Sequence, residues 1–254
     1  MALFVDGPAF GIDDLTDQDS ALLDIALDND INVTTKMSLA LDEIKTDLQL
    51  WLLKLRPTLE TLWIPALRVE QIVVTPALKR WETMHALALV YRDAYFSQLV
   101  DRYQAKWQEY AKLARDARES FIATGMSLVN DPVPQALPPA LTSTPAPQSG
   151  GTFYASVAWV NAAGQEGAAS AASSITIADG NVMVVSGVNP PPNATGFRVY
   201  AGPALAALYL QNQVLLPVGA VCLYIPGLIT HGPLPGPGQK ADFVRPMART
   251  LLRG

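Results

Sequence analysis

"KRWETMHALALVYRDAYFSQLVDRYQAKWQEY", residues 79–110, is dense in aromatic and charged side chains and contains neither glycine nor proline. Nothing in such a run ends a helix. The spacing therefore predicts one long helix from Pro76, which a first turn tolerates, to about Ile122, just before Gly125. Along it Trp81, Met84, Ala88, Tyr91, Tyr95, Leu99, Tyr103, Trp107, Tyr110, Ala114, Ala117 and Phe121 recur at helical intervals and form one stripe. A helix of roughly 45 residues spans about 65–70 Å, against the ~30 Å diameter of a small domain. Either part of the stripe is then expected to meet another subunit, or the helix must break where the sequence shows no breaker. Its rings are Tyr and Trp more than Phe, which suits a surface apolar at one end and wet at the other.

Outward from this stretch, the N-terminal half stays helical. "LTDQDSALLDIALDND" predicts a short helix with Thr16 as cap and an acidic first turn that suits the helix dipole. Met37, Leu41, Ile44, Leu48, Leu52 and Leu55 predict a second helix from about Thr35, stopped by Pro57. Residues 57–77, with Pro57, Pro65 and Pro76, are expected to form a connection containing one broken helical turn.

The 254-residue length and 50% apolar content allow one large or two smaller domains with real cores and exclude disorder throughout. The net charge of -5 is unevenly placed. Residues 1–50 are strongly acidic, residues 149–238 carry only Glu166, Asp179 and Arg198, and the last residues turn basic with Lys240, Arg245, Arg249 and Arg253. Without clustered Lys and Arg, no general polyanion-binding surface is expected. A single cysteine, Cys222, rules out an intrachain disulfide and is expected to be a small buried hydrophobe. "MALFVDGPAFG" lacks the basic and apolar regions of a signal peptide, and no run reaches the ~18 apolar residues of a membrane span. A soluble, unexported protein is expected.

A change of character comes at residues 131–151, "DPVPQALPPALTSTPAPQSGG", where repeated prolines predict an extended spacer or strap. Beyond it the period becomes two. Phe153, Ala155, Val157 and Trp159 alternate, and "NVMVVSGV", "ATGFRVYAG" and "LYLQNQVLLP" supply further short strands between turn residues. The expected fold is multidomain α plus β: an N-terminal helical bundle with one long helix over 1–130, the Pro-rich linker over 131–151, a small antiparallel β-sandwich over 152–238, and a basic tail over 239–254.

Chemistry is hard to assemble from these residues. His85 and His231 stand in different halves without CxxC, HExxH or HxH around them. The acidic run with Asp13, Asp14, Asp17 and Asp19 lacks the twelve-residue calcium-loop pattern and reads as a solvated helix start. "GPLPGPGQ" has no following Lys-Ser/Thr and is no phosphate loop. In "DRYQAKWQEYAKLARDARESF" acids nearly cancel bases, so a solvated face laced with i,i+4 pairs is plainer than a nucleic-acid site. No catalytic, metal or cofactor residues are assigned, and an enzyme is not expected.

The segments "TTKMSLALDEIKTDLQLWLL" and "VTPALKRWETMHALALVYRDAYFSQLVDRYQAKWQEYAKLARDAR" resemble, in helix order and in the pattern Arg80-Trp81, Tyr91, Tyr95, Arg102-Tyr103 and Lys106-Trp107, the helical core of head-to-tail adaptor (connector) proteins of tailed bacteriophages. The likeness covers residues 12–130. "YASVAWVNAAGQEGAAS" and "ATGFRVYAG" are similar to immunoglobulin- or fibronectin-type modules attached to phage structural proteins. The resemblance implies a ring, commonly twelvefold, made in the host cytoplasm and placed at the head–tail junction of the virion. It implies the portal protein and downstream tail or neck proteins as partners, with DNA passing through without sequence-specific binding. Trp81, Tyr91, Tyr95, Tyr103 and Trp107 would then be helix-packing or subunit-interface anchors, and Arg245, Arg249, Leu251, Leu252 and Arg253 a portal- or tail-docking arm. The alternative is a phage tail or surface protein whose sandwich binds a glycan or receptor through Trp159, Tyr200, Tyr209 or Tyr224.

Overall fold

A computed structural model of the chain describes residues 2–60, 67–98, 101–223 and 228–247. The chain divides into two compact units, one of Gly7–Val129 with Ala241–Gly254, the other of Met1–Asp6 with Asn130–Lys240.

The first unit is helical: α1 (Ile12–Gln18), α2 (Leu22–Asp28), α3 (Val33–Glu60), α4 (Pro76–Gln98) and α5 (Asp101–Thr124). The expected single long helix is thus two helices. Tyr91 stacks on Tyr110 at 5.3 Å, Tyr95 on Trp107 at 6.0 Å, and Trp81 meets Phe121 at 5.8 Å, so α5 runs back antiparallel along α4. Folding back lets each half of the stripe bury the other, which a straight helix could not do. Asp101 supplies the acidic first turn of α5. α3 runs on past Pro57 to Glu60, because one proline removes a single main-chain donor and does not by itself end a helix.

α1 is entered through Gly11, whose N–H donates to the Asp14 carboxylate at 2.8 Å. Thr16 is inside α1 and its hydroxyl bonds back to the Asp13 carbonyl, so it is not the cap. A short antiparallel pair of strands, β1 (Met126–Leu128) and β10 (Phe243–Arg245), completes the unit. The basic tail expected from residue 239 is therefore built into the fold as far as Met247, which is buried.

The second unit holds β2 (Ala140–Pro145), β3 (Gly151–Asn161), β4 (Ser173–Ile177), β5 (Asn181–Ser186), β6 (Ala194–Gly202), β7 (Tyr209–Leu210), β8 (Leu216–Pro217) and β9 (Val221–Leu223). Their pairings are antiparallel, in the orders β2-β5-β9 and β4-β3-β6-β7, with β8 beside β6. Ala155, Val157 and Trp159 of β3 enter one core with Val182 and Val185 of β5 and Phe197 and Val199 of β6. Trp159 and Phe197 meet edge to face at 5.5 Å. The residues read as a linker belong here: Val133 and Ala136 are in that core, and β2 pairs with β5 along its length. Proline is compatible with an edge strand, where its missing donor faces away from the partner. Asp6 holds the N-terminal residues in this unit by accepting from the Gln135 and Leu3 N–H groups, each at 2.8 Å.

The sparse charges of this unit are used internally. Arg198 pairs with Glu166 at 3.0 Å, Tyr200 donates to the same carboxylate, and Asp179 accepts from the Gly150 N–H at 2.6 Å. Gly202 ends β6 where a Cβ would stand 1.9 Å from the Ala207 carbonyl oxygen. Gly202→Ala is expected to destabilise this unit by about 1–3 kcal/mol through that backbone clash. Thermal unfolding of the full chain, with the β signal followed separately from the helical one, checks it; an unchanged midpoint for the β transition would refute the close approach.

Candidate functional site

A half-open cleft of about 370 Å³ lies among α3, α4 and α5. Its floor is one stripe of α4, with Trp81, His85, Ala88, Leu89 and Arg92 spaced by helical turns. Glu43, Ile44 and Asp47 of α3 form one wall. Trp107, Ala111, Ala114, Arg115 and Arg118 of α5 form the other. The small alanines of α5 leave the space that the large rings at either end frame.

The cleft is polarised, acidic along α3 and basic along α5. Two of its pairs are internal: Glu43 meets the His85 imidazole at 2.6 Å, and Asp47 accepts from Arg118 Nε at 3.2 Å. The Arg118 guanidinium also stands 5.7 Å from the Trp81 ring centre and 5.9 Å from that of Trp51. Among the described residues, Arg92 and Arg115 have no hydrogen-bond or ion-pair partner. At one end the cleft opens on a cluster in which Tyr95, Phe96 and Trp107 lie within 6.0 Å of one another, ring centre to ring centre. Phe96 there is 60% exposed.

The five aromatic residues singled out as interface anchors separate into two groups. Trp81, Tyr91 and Tyr103 are buried within the helical unit, at 5%, 1% and 2% exposure. Trp81 meets Phe121 and Tyr91 stacks on Tyr110 between α4 and α5, and Tyr103 belongs to the same core as Tyr91 and Tyr110. Tyr95 and Trp107 are only partly buried. Of the expected docking arm, Arg245 is a half-buried residue of β10 opposite Met126, and Arg249, Leu251, Leu252 and Arg253 lie outside the described residues.

A buried polar centre was not legible as such. Asp19, read with its neighbours as a solvated helix start, is buried and its Oδ2 accepts from the Tyr91 hydroxyl at 2.6 Å, the Tyr110 hydroxyl at 2.9 Å and Lys106 Nζ at 3.0 Å. Burial pushes its carboxyl up, but these donors and the Ala21 N–H outweigh burial and hold it below the usual range. Burial and the Asp19 charge push both tyrosine hydroxyls far up, so they remain donors. Asp14 is likewise partnered, with Lys79 at 2.8 Å, and that ammonium with the Gly11 N–H holds it low. A second buried acid, Glu82 of α4, is fully enclosed; Oε2 accepts from the Ala9 N–H at 3.0 Å and Oε1 has no partner among the described residues. Burial pushes its pKa up to about 7.

In the β unit, Trp159 and Tyr200 are 1% and 2% exposed, so neither offers a ring to a glycan. Tyr209 is partly buried in β7, and Tyr224 lies outside the described residues. Cys222 of β9 packs partly buried against the shared core, and His231 is exposed. Among the described residues no helix is long and apolar enough to cross a membrane. No protein-family model matches this chain, and no curated protein matches it in sequence.

Proposed function

We propose that this chain is a structural, non-catalytic subunit of a tailed-phage head-to-tail connector, acting as a ring of copies, commonly twelve, at the head–tail junction of the virion. On this reading its helices form the adaptor bundle and its two sheets an immunoglobulin- or fibronectin-like sandwich that buttresses or decorates the ring. The portal lies on one side, tail or neck proteins on the other, and DNA passes through the middle without sequence-specific contact.

The observation that carries the reading is the surface of the helical hairpin, where the part-exposed rings of Tyr95, Phe96 and Trp107 border a cleft holding two arginines that have no partner among the described residues. Aromatic residues and arginine are what protein interfaces enrich, and a few of them carry most of the binding energy. A weak contact at each subunit multiplies around a ring into a firm attachment. Nothing catalytic is asked of such a subunit.

Native mass measurement of the full chain, with and without portal protein, followed by imaging, tests the proposal. A ring is expected, and Trp107→Ala should lower its yield at least tenfold with the unfolding midpoint little changed. Tyr103→Ala should instead lower the midpoint, because that ring is buried inside its own unit. A monomer at every concentration, with no affinity for portal protein, would refute the proposal.

A further inference from the structure

We infer that the cleft among α3, α4 and α5 receives α2 of a second copy of this chain, so that neighbouring subunits join head to tail. The inference deepens the connector reading and rests on its self-association.

α2 presents what the cleft lacks. Leu23 and Leu27, one turn apart, are 46% and 83% exposed, and they are flanked by the exposed Asp24 and Asp28. An exposed apolar pair edged by two acids is a ridge seeking an apolar groove edged by two cations. The cleft supplies alanines and rings for the leucines; its own acids Glu43 and Asp47 are held by His85 and Arg118, which leaves Arg92 and Arg115, unpaired among the described residues, for the carboxylates.

The stacking of Tyr91 on Tyr110 and the meeting of Trp81 with Phe121 place Arg115 opposite the region of Leu87, roughly five residues or 7–8 Å along the hairpin axis from Arg92 and on the neighbouring helix, about 8–10 Å across. Asp24 and Asp28 are separated by about 6 Å along α2. Other exposed leucines do not match as well: Leu50 and Leu53 of α3 are 50% and 56% exposed, but no acid lies between them or directly beside them in sequence.

The geometry also favours a neighbour over the molecule's own α2. That helix is held at the far end of α4, where Asn29 accepts from the Ser97 hydroxyl at 2.9 Å, while the cleft floor runs from Trp81 to Arg92. Ridge and groove are then different patches on one unit. Such a pair is heterologous, and it closes into a ring when the rotation between copies divides a full turn.

Charge reversal on the full chain is the test, with oligomeric state read by native mass measurement and sedimentation. Asp24→Arg/Asp28→Arg and Arg92→Glu/Arg115→Glu are each expected to weaken association at least a hundredfold, with helical circular dichroism and unfolding midpoint preserved. Mixing the two variants should restore association, since each native ridge then meets a native groove and each reversed ridge a reversed groove. The fourfold variant should self-associate alone. If the reversed variants assemble as well as the parent, or if mixing restores nothing, the α2–cleft contact is wrong while the connector reading stands. A parent chain that is monomeric at every concentration, yet binds portal protein, overturns the contact; one that does neither overturns both.

Discussion

Replacing Asp19 by alanine should lower the stability of the helical unit by roughly 2–6 kcal/mol, because two buried hydroxyl donors lose their acceptor at about 1–3 kcal/mol each. The cause is local. One carboxylate oxygen accepts from two buried tyrosine hydroxyls and one ammonium. Lys106 is 46% exposed and can turn to water when the acid is gone. The hydroxyls of Tyr91 and Tyr110 cannot, and an orphaned buried donor costs about 1–3 kcal/mol. Asp19→Asn, which keeps an acceptor, should lose much less. Urea unfolding at pH 7 followed by helical circular dichroism measures both, and an Asp19→Ala change within ~0.5 kcal/mol would show the centre to be incidental. The acid limb has a definite sign. Because the folded carboxyl is held below its unfolded value, its contribution is complete above the ordinary aspartate range and is lost as pH falls through the folded value. Asp19→Asn should remove that portion of the acid sensitivity.

That centre also marks where local sequence reasoning stops. Asp19 sits in "DDLTDQD", and nothing within that run distinguishes an acid facing water from one facing two tyrosines more than seventy residues away. Alternation along β3 was legible because the pleat imposes it, and Val157 and Trp159 do face the shared core. The Pro-rich stretch hid its strand because composition speaks for a proline's missing donor and not for the edge position that makes the loss harmless. Pro57 misled in the same way, as a local penalty that the rest of α3 outweighs.

The hairpin is the most instructive case. No glycine or proline interrupts residues 79–110, so local propensity extends the helix, and the arithmetic of length then leaves a second subunit or a break with no local breaker. Tertiary burial reverses the chain instead. A signal for this exists in the sequence: the stripe is nearly symmetrical about Asp101, with Trp81 against Phe121, Tyr91 against Tyr110 and Tyr95 against Trp107. A mirrored aromatic stripe can satisfy itself by folding at its centre, whereas a straight helix leaves it bare. What stays on the surface after that folding, Phe96 with parts of Tyr95 and Trp107, is a much smaller patch than the whole stripe, and it adjoins the cleft.

Glu82 sets the opposite pH dependence to Asp19, and it should dominate the neutral range. Its side chain is fully enclosed, with one oxygen accepting from the Ala9 N–H and the other without a partner among the described residues. Burial raises its pKa from 4.5 to about 7, against the smaller lowering influences of that N–H and of Lys79. Between those values the folded chain keeps a proton that the unfolded chain releases, so stability falls as pH rises from about 4.5 to 7 and levels off above. A tenfold weakening of an acid corresponds to about 1.4 kcal/mol, so the whole effect is about 3 kcal/mol. Glu82→Gln keeps the size and the acceptor but cannot ionise; it should lie within about 1 kcal/mol of the parent at pH 5 and exceed it by up to about 3 kcal/mol at pH 8. Glu82→Ala should instead lose stability at both, having left the Ala9 N–H unpaired and the space unfilled. The difference in unfolding free energy between parent and Glu82→Gln, measured from pH 5 to pH 8, isolates this one group from every other titrating residue. A difference that stays flat across that window would mean that the Glu82 carboxyl is hydrated or paired in solution, and that the clamp between α4 and the chain at Ala9 does not ionise as burial requires.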